Sequence, residues 1–79
     1  MKTPVQLADL EATLQVVLDE TLEAAHAFEQ KVKRLRDLKP TDPDYEGRYG
    51  ELAASVFLLK LKAEAAHETL EQLIEAEPD

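Results

Sequence analysis

Two short motifs in this sequence have the spacing of metal ligands. The tetrapeptide Glu-Ala-Ala-His occurs at Glu23–His26 and again at Glu64–His67. Residues three apart on an α-helix project from the same side, and Glu-x-x-His pairs supply ligands in carboxylate-bridged di-metal bundles. Glu23, His26, Glu64 and His67 are therefore candidate ligands for iron, manganese or zinc.

The same four residues also have a simpler interpretation as solvent-exposed side chains. Glu23, His26 and Glu64 lie away from the apolar positions around them, and His67 lies at the edge of an apolar stripe. Metal ligands of helical bundles project inward instead. Only a second chain in antiparallel orientation would bring the two motifs together. We expect no resident cofactor, and the metal site is the alternative hypothesis.

The rest of the sequence lacks the patterns of an enzyme. There is no cysteine, which excludes disulfides, thiolate metal sites and cysteine nucleophiles. Ser55 is the only serine, and no histidine or aspartate lies at a spacing from it that indicates a catalytic partner. The two glycines, Gly47 and Gly50, do not form a phosphate-binding loop. We therefore predict that the protein is not an enzyme.

The net charge of −8 and the hydropathy pattern exclude two classes of partner. Affinity for nucleic acid depends mostly on Lys and Arg, so an acidic chain is a poor candidate. No apolar run approaches the ~20 residues of a membrane span, and the start of the chain does not resemble a signal peptide. These features, with the absence of cysteine, predict a cytoplasmic protein without nucleic-acid or membrane partners.

The composition is that of a helical protein. Two glycines and four prolines lie at the ends or near the middle, and the remainder is rich in Ala, Leu, Glu and Lys. Apolar residues recur at three- and four-residue steps from the N-terminal end, which predicts an amphipathic helix from about residue 5 to 38. Its stripe contains Leu7, Leu10, Leu14, Val17, Leu18, Thr21, Ala25, Phe28, Val32 and Leu35.

The segment Pro40-Thr41-Asp42-Pro43 predicts a sharp bend. Each proline restricts the residue before it to extended geometry, and Asp42 followed by Pro43 is a favourable helix start. We predict a turn at 39–42 and a second helix over about 43–76. A fraying start, or a regular helix that begins nearer Glu51, is the alternative, since Gly47 and Gly50 weaken the first turns. So short a connection makes the helices antiparallel. Residues 1–79 are thus predicted to form one all-α helical-hairpin domain.

The second helix has two apolar stripes, of which the first helix can cover only one. The stripe predicted to pack on the first helix contains Tyr45, Tyr49, Leu52, Val56, Leu59, Ala63, Ala66, Leu70 and Ile74. The opposite stripe contains Ala54, Phe57, Leu58, Leu61 and Ala65. Because a helix that is apolar all round is normally buried all round, we predict a partner on this second stripe.

The simplest partner is a second copy of the chain. Two hairpins related by a two-fold axis would form a homodimeric four-helix bundle. The alternative is a helix from a different protein that packs on the same stripe. Both make the protein an interaction module rather than a catalyst.

Charge is distributed unevenly along the hairpin. Five of the nine basic residues lie at Lys31, Lys33, Arg34, Arg36 and Lys39, close to the bend. Residues 1–30 carry one lysine against six acids, and residues 63–79 carry six acids and no Lys or Arg. Both acidic segments therefore lie at the open end. Basic residues favour a helix C-terminus, which accounts for the cluster, and a docking patch for an acidic partner is the alternative.

The bend resembles that of small hairpin proteins in type III secretion systems. Needle subunits carry a comparable Pro-x-x-Pro bend between two helices. The co-chaperones that hold them before export show an Asp-Pro-x-x-Tyr start to the second helix, to which Asp42-Pro43-Asp44-Tyr45 is similar with the tyrosine one residue closer. The strong acidity and the polar end at residues 75–79 differ from needle subunits. The resemblance therefore implies a chaperone-like protein that keeps an aggregation-prone partner soluble.

Overall fold

The protein folds into two long helices that pack against each other. The structure is a computed structural model that describes residues 4–77. Helix α1 spans Pro4–Asp37 and helix α2 spans Arg48–Ala76, and the two lie side by side in a body of 59 × 16 × 14 Å. The all-α hairpin predicted from the sequence is thus confirmed. Of the predicted domain, 1–79, the segments 1–3 and 78–79 lie outside the described residues.

The helices meet along a seam with alternating three- and four-residue steps, which is the spacing of an antiparallel coiled coil. The α1 side of the seam is half-buried or buried throughout. It agrees with the predicted stripe except that Ala24 and Lys31 replace Ala25 and Val32 at the contact and Leu18 lies beside it. It contains Leu7, Leu10, Leu14, Val17, Thr21, Ala24, Phe28, Lys31 and Leu35.

The α2 side of the seam differs from the predicted stripe. Its half-buried and buried residues are Leu52, Ser55, Leu59, Lys62, Ala66, Thr69, Leu73 and Ala76. The prediction was wrong for Tyr49, Val56, Ala63, Leu70 and Ile74, which are exposed. Helix α2 therefore meets α1 through a face that is rotated from the predicted one. Because the middle of α2 is apolar all round, periodicity alone does not single out one contact face.

The most deeply buried residues of the seam are small. Ala24 and Ala66 are 5% and 6% exposed, and Thr69 is 7% exposed. Within residues 4–77 no large side chain is fully buried. Each helix therefore covers one side of its neighbour and leaves much apolar surface in contact with solvent.

The bend occupies residues 38–47 as a series of tight turns. Backbone hydrogen bonds join Asp42 N to Lys39 O at 2.8 Å and Tyr45 N to Asp42 O at 3.1 Å. The backbone N–H of Lys39 donates to Asp42 Oδ2 at 2.7 Å. The side chain of Asp42 therefore stabilises the turn formed by residues 39–42. Its predicted role as the cap of the second helix was wrong.

Helix α2 begins at Arg48, five residues after the predicted start at Pro43. Gly47 stands at its N-cap position, without a side-chain hydrogen bond to the first turn. Gly47 makes the helix costly to begin earlier, because glycine loses more backbone freedom than alanine would. The end at Ala76 agrees with the prediction. Pro78, the predicted stop, lies outside the described residues. Neither described helix is both long and apolar enough to cross a membrane.

Candidate functional site

The four candidate metal ligands are all exposed on the outside of the hairpin. Glu23, His26, Glu64 and His67 project into solvent. His67 Nε2 lies 3.0 Å from Glu71 Oε1, one turn further along α2. Each Glu-x-x-His motif therefore lies on a surface that faces away from the seam.

The hairpin also keeps the two motifs apart. The hydroxyl of Thr21 lies 3.1 Å from the carbonyl oxygen of Lys62, which sets these residues level with each other. At ~1.5 Å per residue, His26 and His67 are then separated by about 15 Å along the hairpin. Among residues 4–77, no group of three or more carboxylate and imidazole side chains could hold a metal ion. A metal site between two chains stays a prediction.

The second apolar stripe of α2 is largely exposed. We call Ala54, Phe57, Leu58, Leu61 and Ala65 the outer face of α2. Phe57 is 58% exposed, and Leu58 and Leu61 are each 45% exposed. Ala54 is exposed as well, whereas Ala65 is half-buried at the edge of the seam. The role of this face in binding a partner stays a prediction.

The two long edges of the seam differ in chemistry. One edge carries the ion pairs that link the two sides of the hairpin within residues 4–77, and we call it the charged flank. Lys62 Nζ lies 3.1 Å from Glu20 Oε2, and Lys31 Nζ lies 3.8 Å from Glu51 Oε2. Near the bend, the guanidinium of Arg34 pairs with the carboxylate of Asp44 on the same edge.

The opposite edge is apolar over most of its length. We call Leu18, Ala25, Val32, Val56, Ala63 and Leu70 the apolar flank. Each of its residues immediately follows a seam residue, and in antiparallel helices such positions lie along the same edge. The α1 members are half-buried and the α2 members are exposed. Both helices thus contribute to one continuous apolar edge.

A hollow interrupts the apolar flank near the open end of the hairpin. Its volume is about 360 Å³, and its lining includes Leu7, Glu11, Leu14, Leu70, Ile74 and Glu77. The hollow is apolar inside and acidic at its rim. It is therefore suited to a side chain that is apolar in body and polar or cationic at its tip.

An aromatic and cationic cluster lies at the other end of the same edge. The guanidinium of Arg48 lies 3.6 Å from the centre of the Tyr45 ring and 4.4 Å from that of Tyr49. Such distances allow cation–π attraction, which holds the side chains together. Tyr49 is nevertheless 65% exposed. The cluster therefore presents an aromatic ring and a positive charge to solvent beside the bend.

One carboxyl group on α1 has a perturbed pKa. The hydrogen bond from Lys33 to Glu29, across 2.9 Å, lowers the pKa of Glu29 below its usual value, and the charge of Lys33 adds to the effect. The group is fully exposed. This is the behaviour of a surface ion pair within one helix, and it does not indicate an acid–base catalyst.

Sequence reasoning missed the apolar flank, although its signal was present. Leu18, Ala25 and Val32 recur every seven residues, as do Val56, Ala63 and Leu70. Such spacing marks one position of a heptad. These residues were assigned to the stripes between the helices, because at alternate contact positions of both helices the predicted stripe ran one residue past the seam. Comparisons with protein-family models, curated proteins and solved structures found no significant match.

Proposed function

We propose that this protein is a non-enzymatic interaction module that binds another helix through the outer face of α2. The observation that carries the proposal is the exposure of Phe57, Leu58 and Leu61 side by side in the middle of a continuous helix. Scattered apolar residues are normal on a protein surface, but a contiguous group of large ones marks an interaction site.

The free energy available on this face is substantial for so small a protein. Complete burial of a large apolar side chain contributes about 1.5–3 kcal/mol, and about half of each of these three side chains is still exposed. A binding partner that covers them recovers several kcal/mol. A hairpin of this size has few other sources of stability, since its chain has no cysteine and the buried residues among 4–77 are alanine and threonine.

Two forms of binding follow from the same face. In the first, a second copy of the chain completes a homodimeric four-helix bundle. In the second, a helix of a different protein occupies the face, and the module keeps an aggregation-prone partner in solution. The resemblance of Asp42-Pro43-Asp44-Tyr45 to needle co-chaperones supports the second form. A cytoplasmic location is part of the proposal, and the absence of cysteine supports it.

The proposal is tested by the solution mass of the wild type and of a Phe57→Asp, Leu61→Asp double variant, measured by light scattering. We expect the wild type to exceed the 8.9 kDa of one chain or to precipitate. The double variant should have a smaller mass or stay in solution, with an unchanged helical circular dichroism spectrum.

The matched control is Val16→Asp, which places a charge at an exposed apolar position of α1, away from the outer face. It should leave mass and solubility as in the wild type. A well-folded wild-type monomer whose solubility the double variant does not change would show that the outer face binds nothing.

A further inference from the structure

The apolar flank has the features of an interface, and they are independent of the outer face. Its residues come from both helices, recur every seven positions and lie on the edge opposite the ion pairs Glu20–Lys62 and Lys31–Glu51. Alanines at positions 25 and 63 lie near its middle, where they allow another helix to approach closely. No residue of the flank itself is charged, and the exposed Glu29 and Lys60, each one turn from two flank residues, border it.

We propose that the apolar flank is the surface on which a second copy of this chain packs, with the two hairpins antiparallel. The inference goes beyond the proposed function, since it moves self-association from the outer face of α2 to the flank. It assigns the second copy to the flank and leaves the outer face of α2 available for a helix of another protein.

Charge complementarity favours a second copy in this orientation. On the flank side of the hairpin, Arg36 and Arg48 lie near the bend, and Glu11 and Glu77 lie near the open end. Lys31 and Arg34 pair with acids on the charged flank and do not take part. Two hairpins with their bends side by side would bring the arginines of both copies together. Antiparallel hairpins bring the bend of each copy against the acidic open end of the other, which is favourable at both ends of the interface.

The register of the hairpin is compatible with a two-fold axis across the middle of the flank. On α2, an axis at Ala63 sets Val56 level with Leu70 of the second copy. On α1, an axis midway between Leu18 and Ala25 sets these two residues level across the interface. The hairpin places the two crossing points at nearly the same height, because Thr21 lies level with Lys62. One axis therefore serves both helices.

The same arrangement fills the hollow at the open end. With Ala63 on the axis, Tyr49 of one copy lies level with Glu77 of the other, at the rim of the hollow that Leu70 and Ile74 line. The exposed Tyr49 ring has the apolar body that the hollow accommodates, and Arg48, stacked on it, carries a positive charge to the acidic rim. The hollow and the tyrosine are thus complementary parts of one repeated contact.

The side of the hairpin that carries the flank is large enough for a stable dimer. One long side of the 59 × 16 × 14 Å hairpin has an area on the order of 900 Å². Each partner in a standard protein–protein interface buries about 800 Å² of its surface. The outer face of α2 is a single helix surface and is smaller. The flank is therefore the better candidate for the principal contact between copies.

Ala63→Glu tests the inference, because Ala63 is exposed in the hairpin and lies on the axis in the dimer. The variant should keep the helical content of the wild type and raise the dimer dissociation constant at least tenfold by analytical ultracentrifugation. The matched control is Ala12→Glu, at an exposed alanine on the far side of α1. It should leave the dissociation constant within twofold of the wild-type value.

A cysteine scan supplies a positive signal, since the natural chain has no cysteine. Under mild oxidation, Ala63→Cys should give a disulfide-linked dimer, because the two copies of position 63 meet at the axis. Ala12→Cys should remain monomeric on non-reducing gels. Dimerisation that Ala63→Glu leaves intact, or equal cross-linking at both positions, would overturn the inference.

The Phe57→Asp, Leu61→Asp variant separates this inference from the proposed function. A dimer that survives these two changes but not Ala63→Glu places the second copy on the flank. A dimer that is lost with the outer-face variant but persists in Ala63→Glu overturns the flank interface and leaves the proposed function standing. A wild type that stays monomeric overturns the inference, and the outer face is then judged by its effect on solubility.

Discussion

At the scale of single residues, the seam shows how polar side chains can occupy contact positions between helices. Lys62 lies in the seam, and its Nζ reaches the edge to pair with Glu20 at 3.1 Å. Its aliphatic stem lies over the contact while the ammonium group stays near water. Thr21 donates its hydroxyl toward carbonyl oxygens of its own helix and of α2. Such residues make the seam less apolar than the sequence pattern led us to expect.

The ion pair between Glu29 and Lys33 gives a prediction with a defined sign. Replacing Lys33 with glutamine should return the pKa of Glu29 upward toward its usual value, because the lysine is the main cause of the lowering. A lowered pKa stabilises the folded state at pH values above the unfolded-state pKa of Glu29. That stabilisation is lost as the pH falls through the folded-state pKa. NMR titration of the Glu29 carboxyl carbon measures its pKa in the wild type and in the variant.

Lys31→Gln is the control for this titration, because Lys31 pairs with Glu51 across the hairpin and not with Glu29. It should leave the Glu29 titration curve unchanged. An equal displacement of the curve in both variants would mean that the net charge of the molecule, rather than the local pair, lowers the pKa.

The four candidate ligands give a second prediction at this scale. Because Glu23, His26, Glu64 and His67 are exposed and the histidines are far apart, we expect the protein to retain less than stoichiometric zinc, iron or manganese after metal loading and dialysis. A His26→Gln, His67→Gln variant should retain the same trace amount. One tightly held metal ion per dimer that this variant loses would instead establish the metal-binding alternative.

At the scale of the helices, the sequence predicted what was encoded by strong local signals. The existence of both helices, the bend at Pro40–Pro43 and the stripe of α1 follow from helix propensity, proline geometry and regular spacing. The face of α2 that meets α1 did not follow, because Val56, Phe57, Leu58 and Leu59 are apolar on several sides of one helix. Packing with α1 decides between those faces, and no local signal reports it.

The start of α2 gives a prediction about helix propensity. An added Cβ at Gly50 would meet no atom within 4 Å. Gly50 is inside α2, so Gly50→Ala should raise the free energy of unfolding by about 0.5–1 kcal/mol, mainly by restricting the unfolded chain. Urea unfolding followed by circular dichroism measures the change.

Gly47→Ala is the matched control, since its Cβ would also meet open space but the residue lies at the N-cap. Alanine is a poor N-cap, so we expect little or no gain in unfolding free energy there. If both substitutions stabilised the protein equally, α2 would begin before Arg48, as the sequence had suggested.

At the scale of the whole molecule, the separation of charge along the hairpin determines how two copies can meet. A net charge of −8 opposes association in general. In the proposed dimer, Arg36 and Arg48 near the bend of each copy would lie toward the acidic open end of the other. These arginines would then orient the two copies against that repulsion.

A charge swap tests that orientation directly. In the antiparallel dimer, Arg36 near the bend lies about one helical turn from Glu11 of the second copy, and the two-fold axis creates this pair twice. Arg36→Glu alone and Glu11→Arg alone should each weaken the dimer about three- to tenfold, as expected for two partly exposed pairs. The double variant should recover most of the lost affinity at low salt, because both pairs are restored with reversed sign.

Combining Arg36→Glu with Glu68→Arg is the control, since Glu68 is acidic and near the open end but projects from the other side of α2. This pair should not recover affinity. All differences should shrink in about 0.5 M salt, where the screening length falls to a few ångströms. If Arg36→Glu strengthened the dimer instead, the bends of the two copies would lie side by side, because removing like charge there is favourable only in that arrangement.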